Sequence, residues 1–432
     1  MARDFLGHGL ALGFLFAPMP RAGDPFLHSR LRLQRPGGSL QFLAPHSVFS
    51  SHRIDRGTLL LSHHLPDGEP ESFLDLGCGY GVLGLDVAAR FPRARGLLVD
   101  RDLLAVEYAR ENARIQGAHS VEVAGSLGYR DVPAGWGPFD WILSNLPARA
   151  GERVYDGLIR DGRDRLKPGG EMRVVVIKPL GAVLRAIAAR LSIEYRTAFE
   201  CRTVIETNLH CVFSFPAGAA FPAGLGGPPA AGAGREVGDE VYRRDRIELN
   251  LPELAAMLSL ERPTDLADEP NRLSHAIPLL AAHLPPSPPA RVLCFRAGYG
   301  LITALALARY GRAEVVAADR DLLGTSFVRR NCAASSSRLS LVEAAGTSRP
   351  WPEGAFDLAL GEMLPPLGPC ATLAELEQVR AGLAPGGQAL ILGLRKAWKE
   401  FLQRDSRRLG LDLVAESGPA ALYRVDRAAT IR

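Results

Sequence analysis

Two periodicities alternate along the chain. Short runs of mainly apolar residues, "SFLDLG", "RGLLVD", "FDWILSN" and "EMRVVVIK", are separated by stretches such as "VLGLDVAARF", "LLAVEYARENARIQ" and "RVYDGLIRDGRDRL", whose apolar positions recur at helical spacing. The runs are too apolar for a sheet with one wet face. The alternation therefore predicts parallel strands covered by helices on both sides, an α/β doubly wound architecture whose ligands sit at the carboxyl ends of the strands.

The pattern then repeats. "LDLGCGYGVLGLDVAARFPRARGLLVDRDLLAVEYARENA", from residue 74, recurs as "LCFRAGYGLITALALARYGRAEVVAADRDLLGTSFVRRNCA", from residue 293. Likewise "FDWILSNLP…LKPGG" (139–170) recurs as "FDLALGEMLPP…LAPGG" (356–387). Between the copies, residues 216–240 are so rich in Pro, Gly and Ala that they cannot bury a core. The chain thus divides into a domain over 1–215 that includes an N-terminal extension, a linker over 216–240, and a second domain over 241–432.

Composition narrows the class. With 432 residues, 47% hydrophobic and 23% charged, the chain is globular material for two domains. A net charge of +4 permits a polyanionic partner such as RNA without demanding one. Nearly all positive charge is arginine, whose planar fork suits phosphates and bases, but GC-rich coding is the favoured explanation of the bias. Six scattered cysteines with no C-x-x-C pair speak against a metal site and a secreted disulfide framework, and fit a reducing cytoplasm. The opening "MARDFLGHGLALGFLFAP" is broken by His8 and glycines and reads as part of the fold, and no apolar run is long enough to cross a membrane.

The candidate chemistry lies in "FLDLGCGYG", residues 73–81. Glycines after a buried strand let the backbone turn tightly and bring peptide N–H groups close to a ligand. Asp75 at the mouth of this loop would repel a dinucleotide's pyrophosphate and attract the ammonium and sulfonium of S-adenosylmethionine. Asp100, ending the next strand, suits the ribose hydroxyls of either cofactor. In "SNLPARAG" (144–151), the Asn145 side-chain carbonyl and an adjoining backbone carbonyl turned outward by Pro147 offer two acceptors to a planar amine; the same residues also make a plain turn.

Taken in order, "VFSSHRIDRGTLLLSHHLP", "LDLGCGYGVLGL", "VDRDLLAVEYARENA", "SNLPARAG" and "LKPGGEMRVVVIKPLGA" resemble the small-domain (MTS) class I methyltransferases. That family includes two-domain ribosomal RNA guanine exocyclic-amine methyltransferases. The resemblance implies two tandem Rossmann-like class I methyltransferase domains, the second degenerate, with S-adenosylmethionine as cofactor, RNA (ribosomal) as partner, and neither metal nor membrane. By position, it places Asp75, Gly77, Gly79 and Gly81 at the methionine end of the cofactor and Asp100 at the ribose. Arg101 counts among the cofactor residues, and Ser126 and Leu127 flank adenine. Asn145 with the Leu146 and Pro147 backbone holds the target amine. Asp55 and Thr58 match a segment that closes over the cofactor, although Asp55 equally suits a helix cap. Phe49 lines the target pocket or belongs to the core.

Two departures bear on the substrate. Leu146 replaces the first proline of the family's N-P-P, and Ala148 stands where an aromatic or aliphatic residue follows, so a stacking partner for a base is missing. A protein amide or small amine as acceptor, and a non-catalytic RNA-binding role, are the competing readings.

In the second copy, Cys294 stands for Asp75, Arg296 for Gly77 and Glu362 for Asn145. An arginine there is expected to be barred from the glycine's backbone geometry and to set a cation where a cationic cofactor would lie, so no methyl donor should bind. "LRKAWKEFLQRDSRRLGL" (394–411) mixes Arg395, Lys396, Lys399, Arg404, Arg407 and Arg408 with Trp398 and Phe401, a composition that suits RNA phosphates and bases or a solvated amphipathic helix.

Overall fold

The computed structural model describes residues 23–36, 38–194, 200–217, 239–252, 256–266, 276–345, 351–363 and 368–427. The opening segment 1–22, and residues 218–238 of the predicted linker, lie outside this set.

An antiparallel hairpin of β1 (Leu27–Arg35) and β2 (Gly38–Pro45) leads into α1 (Arg56–His63). A seven-stranded sheet follows, formed by β3 (Ser72–Leu76), β4 (Arg95–Asp100), β5 (Val121–Gly125), β6 (Phe139–Asn145), β7 (Leu166–Ile177), β8 (Arg202–Glu206) and β9 (His210–Pro216). Its order is β5-β4-β3-β6-β7-β9-β8. The first five strands in this order are parallel, and β9 runs antiparallel to both neighbours. The crossovers carry α2 (Val82–Arg90), α3 (Leu103–Ile115), α4 (Glu152–Asp164) and α5 (Gly181–Glu194). Leu97, Leu98, Val99, Ile142, Leu143, Val174, Val175 and Val176 are fully buried, which is why these strands read as unbroken apolar runs.

The second half repeats the plan. Hairpin β10 (Arg243–Leu251) and β11 (Ala256–Pro263) precedes α6 (Ile277–Ala282) and a sheet of β12 (Arg291–Phe295), β13 (Glu314–Asp319), β14 (Leu339–Glu343), β15 (Phe356–Met363), β16 (Leu383–Leu394), β17 (Leu411–Ser417) and β18 (Ala420–Asp426). The order β14-β13-β12-β15-β16-β18-β17 is the same topology, with α7 (Leu301–Arg309), α8 (Leu322–Asn331), α9 (Pro369–Gly382) and α10 (Arg395–Leu409) in the crossovers.

One buried amide shows how closely the halves correspond. Asn112 accepts from the Leu43 N–H at 2.8 Å and donates to the carbonyls of Leu43 and Tyr80 at 2.9 and 2.8 Å. Asn331 accepts from the Glu261 N–H at 2.8 Å and donates to the carbonyls of Glu261 and Tyr299 at 2.9 and 2.8 Å. Each therefore satisfies its polar groups by tying a hairpin to the loop ahead of a helix.

The halves meet through the repeated "DRDLL" segments. Asp102 and Asp321 form an antiparallel bridge; the Leu103 N–H donates to the Arg320 carbonyl at 3.0 Å and the Leu322 N–H to the Arg101 carbonyl at 3.1 Å. Arg101 pairs with Asp321 at 3.5 Å and Arg320 with Asp102 at 3.3 Å. Arg101 also reaches Asp265 at 3.3 Å, while Arg320 donates to Ser47 Oγ at 2.9 Å. Equivalent residues thus face each other in the self-complementary way of a two-fold dimer, here joined in one chain.

The mixture of charge and aromatics in residues 394–411 resolves as an amphipathic helix, against the RNA-stacking alternative. Trp398 and Phe401 of α10 are buried, and the Trp398 indole donates to the Met363 carbonyl at 2.7 Å and stacks on Tyr423. Arg395 and Arg408 are paired with Glu416 and Glu377. The same composition serves either reading. The side of the helix that holds the rings decides, and that side is core.

Candidate functional site

In the first half, a cleft of about 560 Å³ opens at the carboxyl ends of β3, β4 and β6, where the strand order reverses. Asp75, Gly77, Gly79, Asp100, Arg101, Ser126, Asn145, Leu146, Pro147 and Ala148 line it, together with Phe49, Asp55 and Thr58.

The turn after β3 takes left-handed backbone at Gly77 (φ 77°) and Gly79 (φ 56°), and a Cβ at either position would meet no atom within 4 Å. The glycines therefore leave the turn's backbone bare toward the cleft. Two carboxylates frame it. Asp75 accepts from the Gly84 N–H at 2.8 Å; burial pushes its carboxyl up to about 7, opposed by that hydrogen bond and reinforced by Asp100. Asp100 accepts from the N–H groups of Gly79 at 2.8 Å and Asp102 at 2.9 Å, and burial raises it to about 6. Buried carboxylates set close together favour a cationic or hydroxyl-bearing ligand.

Asn145 ends β6. Its side-chain nitrogen donates to Asp55 Oδ2 at 2.9 Å and to Thr58 Oγ1 at 3.0 Å. A carboxylate only accepts, so the nitrogen must face Asp55 and the carbonyl oxygen is turned away from it. Asp55 also accepts from the Thr58 N–H at 3.0 Å, capping α1. The helix cap is thus the same group that orients Asn145. The sequence offered lid or cap for Asp55; the structure shows a cap with a second task, which no local pattern reveals because Asn145 lies on a distant strand.

Three assignments change. Leu127 is buried at 4% exposure away from the cleft, its N–H donating to Asp131, so Ser126 alone of that pair lines the site. Gly81 (φ 93°) is the N-cap of α2, where a Cβ would press on Leu85 and Ala109; its smallness serves packing and not the cleft wall. Arg101 commits its guanidinium to Asp265 and Asp321 of the second half, which makes it an interface residue at the cleft's edge. The Pro147 carbonyl already accepts from the Tyr155 hydroxyl at 2.7 Å, which leaves it one lone pair. The sequence also missed Tyr242, Asp265 and Asp321, which the second half contributes to this cleft.

The corresponding cavity of the second half measures about 110 Å³. Asp319 repeats the geometry of Asp100, accepting from the N–H groups of Gly298 at 2.8 Å and Asp321 at 2.9 Å. Contrary to the expectation for an arginine, Arg296 adopts the left-handed geometry of its glycine counterpart, at φ 51°. A forked ion pair compensates, with Nε and Nη2 reaching Glu375 at 2.7 and 2.9 Å. The cation is thus present but already neutralised, and the pair lines the space that remains.

The family model of the methyltransferase small domain matches residues 39–197. Ribosomal RNA small subunit methyltransferase C of Pseudomonas entomophila (strain L48) is 36% identical over 154 residues, 34% of this chain and 45% of that protein. The match thus spans less than half the length of such curated relatives. Bacillus subtilis (strain 168) YbxB, named as uncharacterized, is 34% identical over 142 residues, 33% of this chain and 70% of that protein. In fold, the chain is similar to the T. thermophilus 16S rRNA N2 G1207 methyltransferase RsmC, solved in complex with AdoMet and guanosine. The TM-score is 0.64 at 18% identity, covering 93% of this chain and 98% of that one.

Proposed function

The chain belongs to the methyltransferase small domain family, and from that premise we propose that its first half binds S-adenosylmethionine and methylates an exocyclic amine of a base in RNA, guanine in ribosomal RNA. The observation that carries this reading is the orientation of Asn145. With its two N–H groups held by Asp55 and Thr58, its carbonyl is the group left to receive an amine hydrogen.

The residues fit the cofactor. Asp75 offers negative charge to its cationic end, the bare backbone at Gly77 and Gly79 admits close approach, and Asp100 offers acceptor oxygens to ribose hydroxyls. When bound, the cofactor supplies a methyl group on an electron-poor sulfur. The chain's own contribution is placement: Asn145 Oδ1 and the Leu146 carbonyl accept both hydrogens of the amine, which aims the nitrogen lone pair, and the proton that the methylated nitrogen sheds passes to solvent. Ribosomal RNA as the target is supported by what the relatives are named for and by the guanosine in the T. thermophilus complex.

The test is incubation with methyl-labelled cofactor and deproteinised ribosomal RNA, and separately with RNA-free protein extract. Label entering guanine of the RNA is expected. Label confined to protein, or none in either, overturns the reading.

A further inference from the structure

Phe49 is 70% exposed, yet it lines the same cleft as Asn145. Isolated exposed apolar side chains are ordinary on loops. This one sits on a loop that the protein holds with unusual care. Ser47 and Ser50, on either side, both adopt left-handed backbone, at φ 59° and 62°, a conformation that L residues keep only where surroundings enforce it. Those surroundings are visible. Arg320, from the second half, donates to the carbonyl and hydroxyl of Ser47 at 3.2 and 2.9 Å. The Tyr80 hydroxyl, from the glycine turn, donates to the Ser50 carbonyl at 3.1 Å, and Ser50 Oγ donates to the Arg53 carbonyl at 2.5 Å. Ser29 Oγ donates to the Ser51 carbonyl.

Among the other described rings that line the cleft, those of Tyr80 and Tyr242 are buried at 3% and 6% exposure, and the half-buried His210 imidazole packs beside Gly57. The exposed residues that follow Asn145 on the other wall, Pro147 and Ala148, carry no aromatic ring. A flat base that presents its amine to Asn145 needs a face to lie on. Building on the function proposed above, we infer that Phe49 is that face: a prepositioned stacking platform for the target base, standing in for the aromatic residue absent at Ala148.

The full chain tests this with Phe49→Ala and Phe49→Trp, assayed for methyl transfer to deproteinised ribosomal RNA and, separately, for calorimetric binding of S-adenosylhomocysteine. Phe49→Ala should lower kcat/KM for RNA by about tenfold to a hundredfold, the usual worth of one stacked base. Phe49→Trp should recover activity to within a few-fold, and product binding and thermal melting should match the parent in both. Parent-like activity in Phe49→Ala, or a Trp variant as weak as the Ala variant, overturns the platform while leaving the methyltransferase reading intact. A parent that labels no RNA defeats that reading first and the platform with it.

Discussion

At Gly77 the first half turns its backbone through φ 77°, and at Arg296 the second half makes the equivalent turn at φ 51°. The sheets, the hairpin ties and the carboxylates of Asp100 and Asp319 correspond, but the cavities differ, at about 560 and 110 Å³. The difference teaches that the fold does not need its ligand site. Left-handed backbone at an arginine costs about 1–3 kcal/mol, and the forked pair with Glu375 offsets it. In the first half the place of Glu375 is taken by Leu158, which lines the open cleft. A cation supplied by the chain has settled where the other copy leaves room for one from outside.

The most drastic way to break the comparison is to make the first half like the second. A Cβ at Gly77 meets nothing within 4 Å and Gly77 lines the cleft, so Gly77→Arg should send its guanidinium into the cleft, where Leu158 stands in the place of Glu375. Cofactor binding by calorimetry should vanish, while folding stability falls only by the backbone strain of about 1–3 kcal/mol. Arg296→Gly should restore nothing in the second half, because Cys294 supplies no charge where Asp75 does. Cofactor uptake by the Gly77→Arg chain would refute this account of the divergence.

Next in size is Asn145→Ala. Loss of the amine's acceptor should slow transfer by about a hundredfold or more, as misplacement of a reacting group does, with cofactor binding retained. Activity within a few-fold of the parent would remove Asn145 from its assigned place. Asp55→Ala should act in the same direction but less, since it frees the Asn145 amide and also removes the α1 cap, worth about 1 kcal/mol.

The interface gives a smaller effect that ought to be alike on both sides. Arg101→Ala strips Asp265 and Asp321 of their partner and Arg320→Ala strips Asp102, with side chains only 15–21% exposed around Arg101 and 17–20% around Arg320. Each should cost about 3 kcal/mol, the low end for a broken buried pair. Chemical denaturation measures it. A large loss for one arginine and none for its counterpart would contradict the two-fold equivalence of the docking.

Much of this was legible because it is local. The strands were visible as apolar runs, the glycine turn as a motif and the degeneracy as substitutions at matched positions. What escaped depends on partners far apart in sequence. Arg296 was expected to be incompatible with the turn because Glu375, on α9, was not in view. Asp55 and Asn145 lie on different elements, and the contribution of Tyr242, Asp265 and Asp321 to the first cleft depends on how two domains dock. Trp398 and Phe401 were ambiguous for another reason: composition does not say which side of a helix is core.

The finest distinction between the halves is one of protons. Asp75 and Asp100 have carboxyls raised to about 7 and 6, mainly by burial; an unfolded aspartate titrates near ~3.9. A raised carboxyl holds its proton more tightly in the folded state, so its contribution to stability is complete below the unfolded value and is lost as pH rises through about 6–7. The ligand-free protein should therefore lose stability over that climb. A cation beside Asp75 favours the charged form, so S-adenosylmethionine and a proton compete, and affinity should fall on the order of tenfold for each pH unit below about 7. Asp75→Asn should bind weakly, with this part of the pH slope removed. A parent affinity that stays flat between about pH 8 and 6 would show that Asp75 is not the group that meets the positive charge. The second half has Cys294 in that position and keeps only the Asp319 carboxyl, also raised to about 6, so it should retain the stability effect of its own carboxyl without any cofactor-linked release of protons.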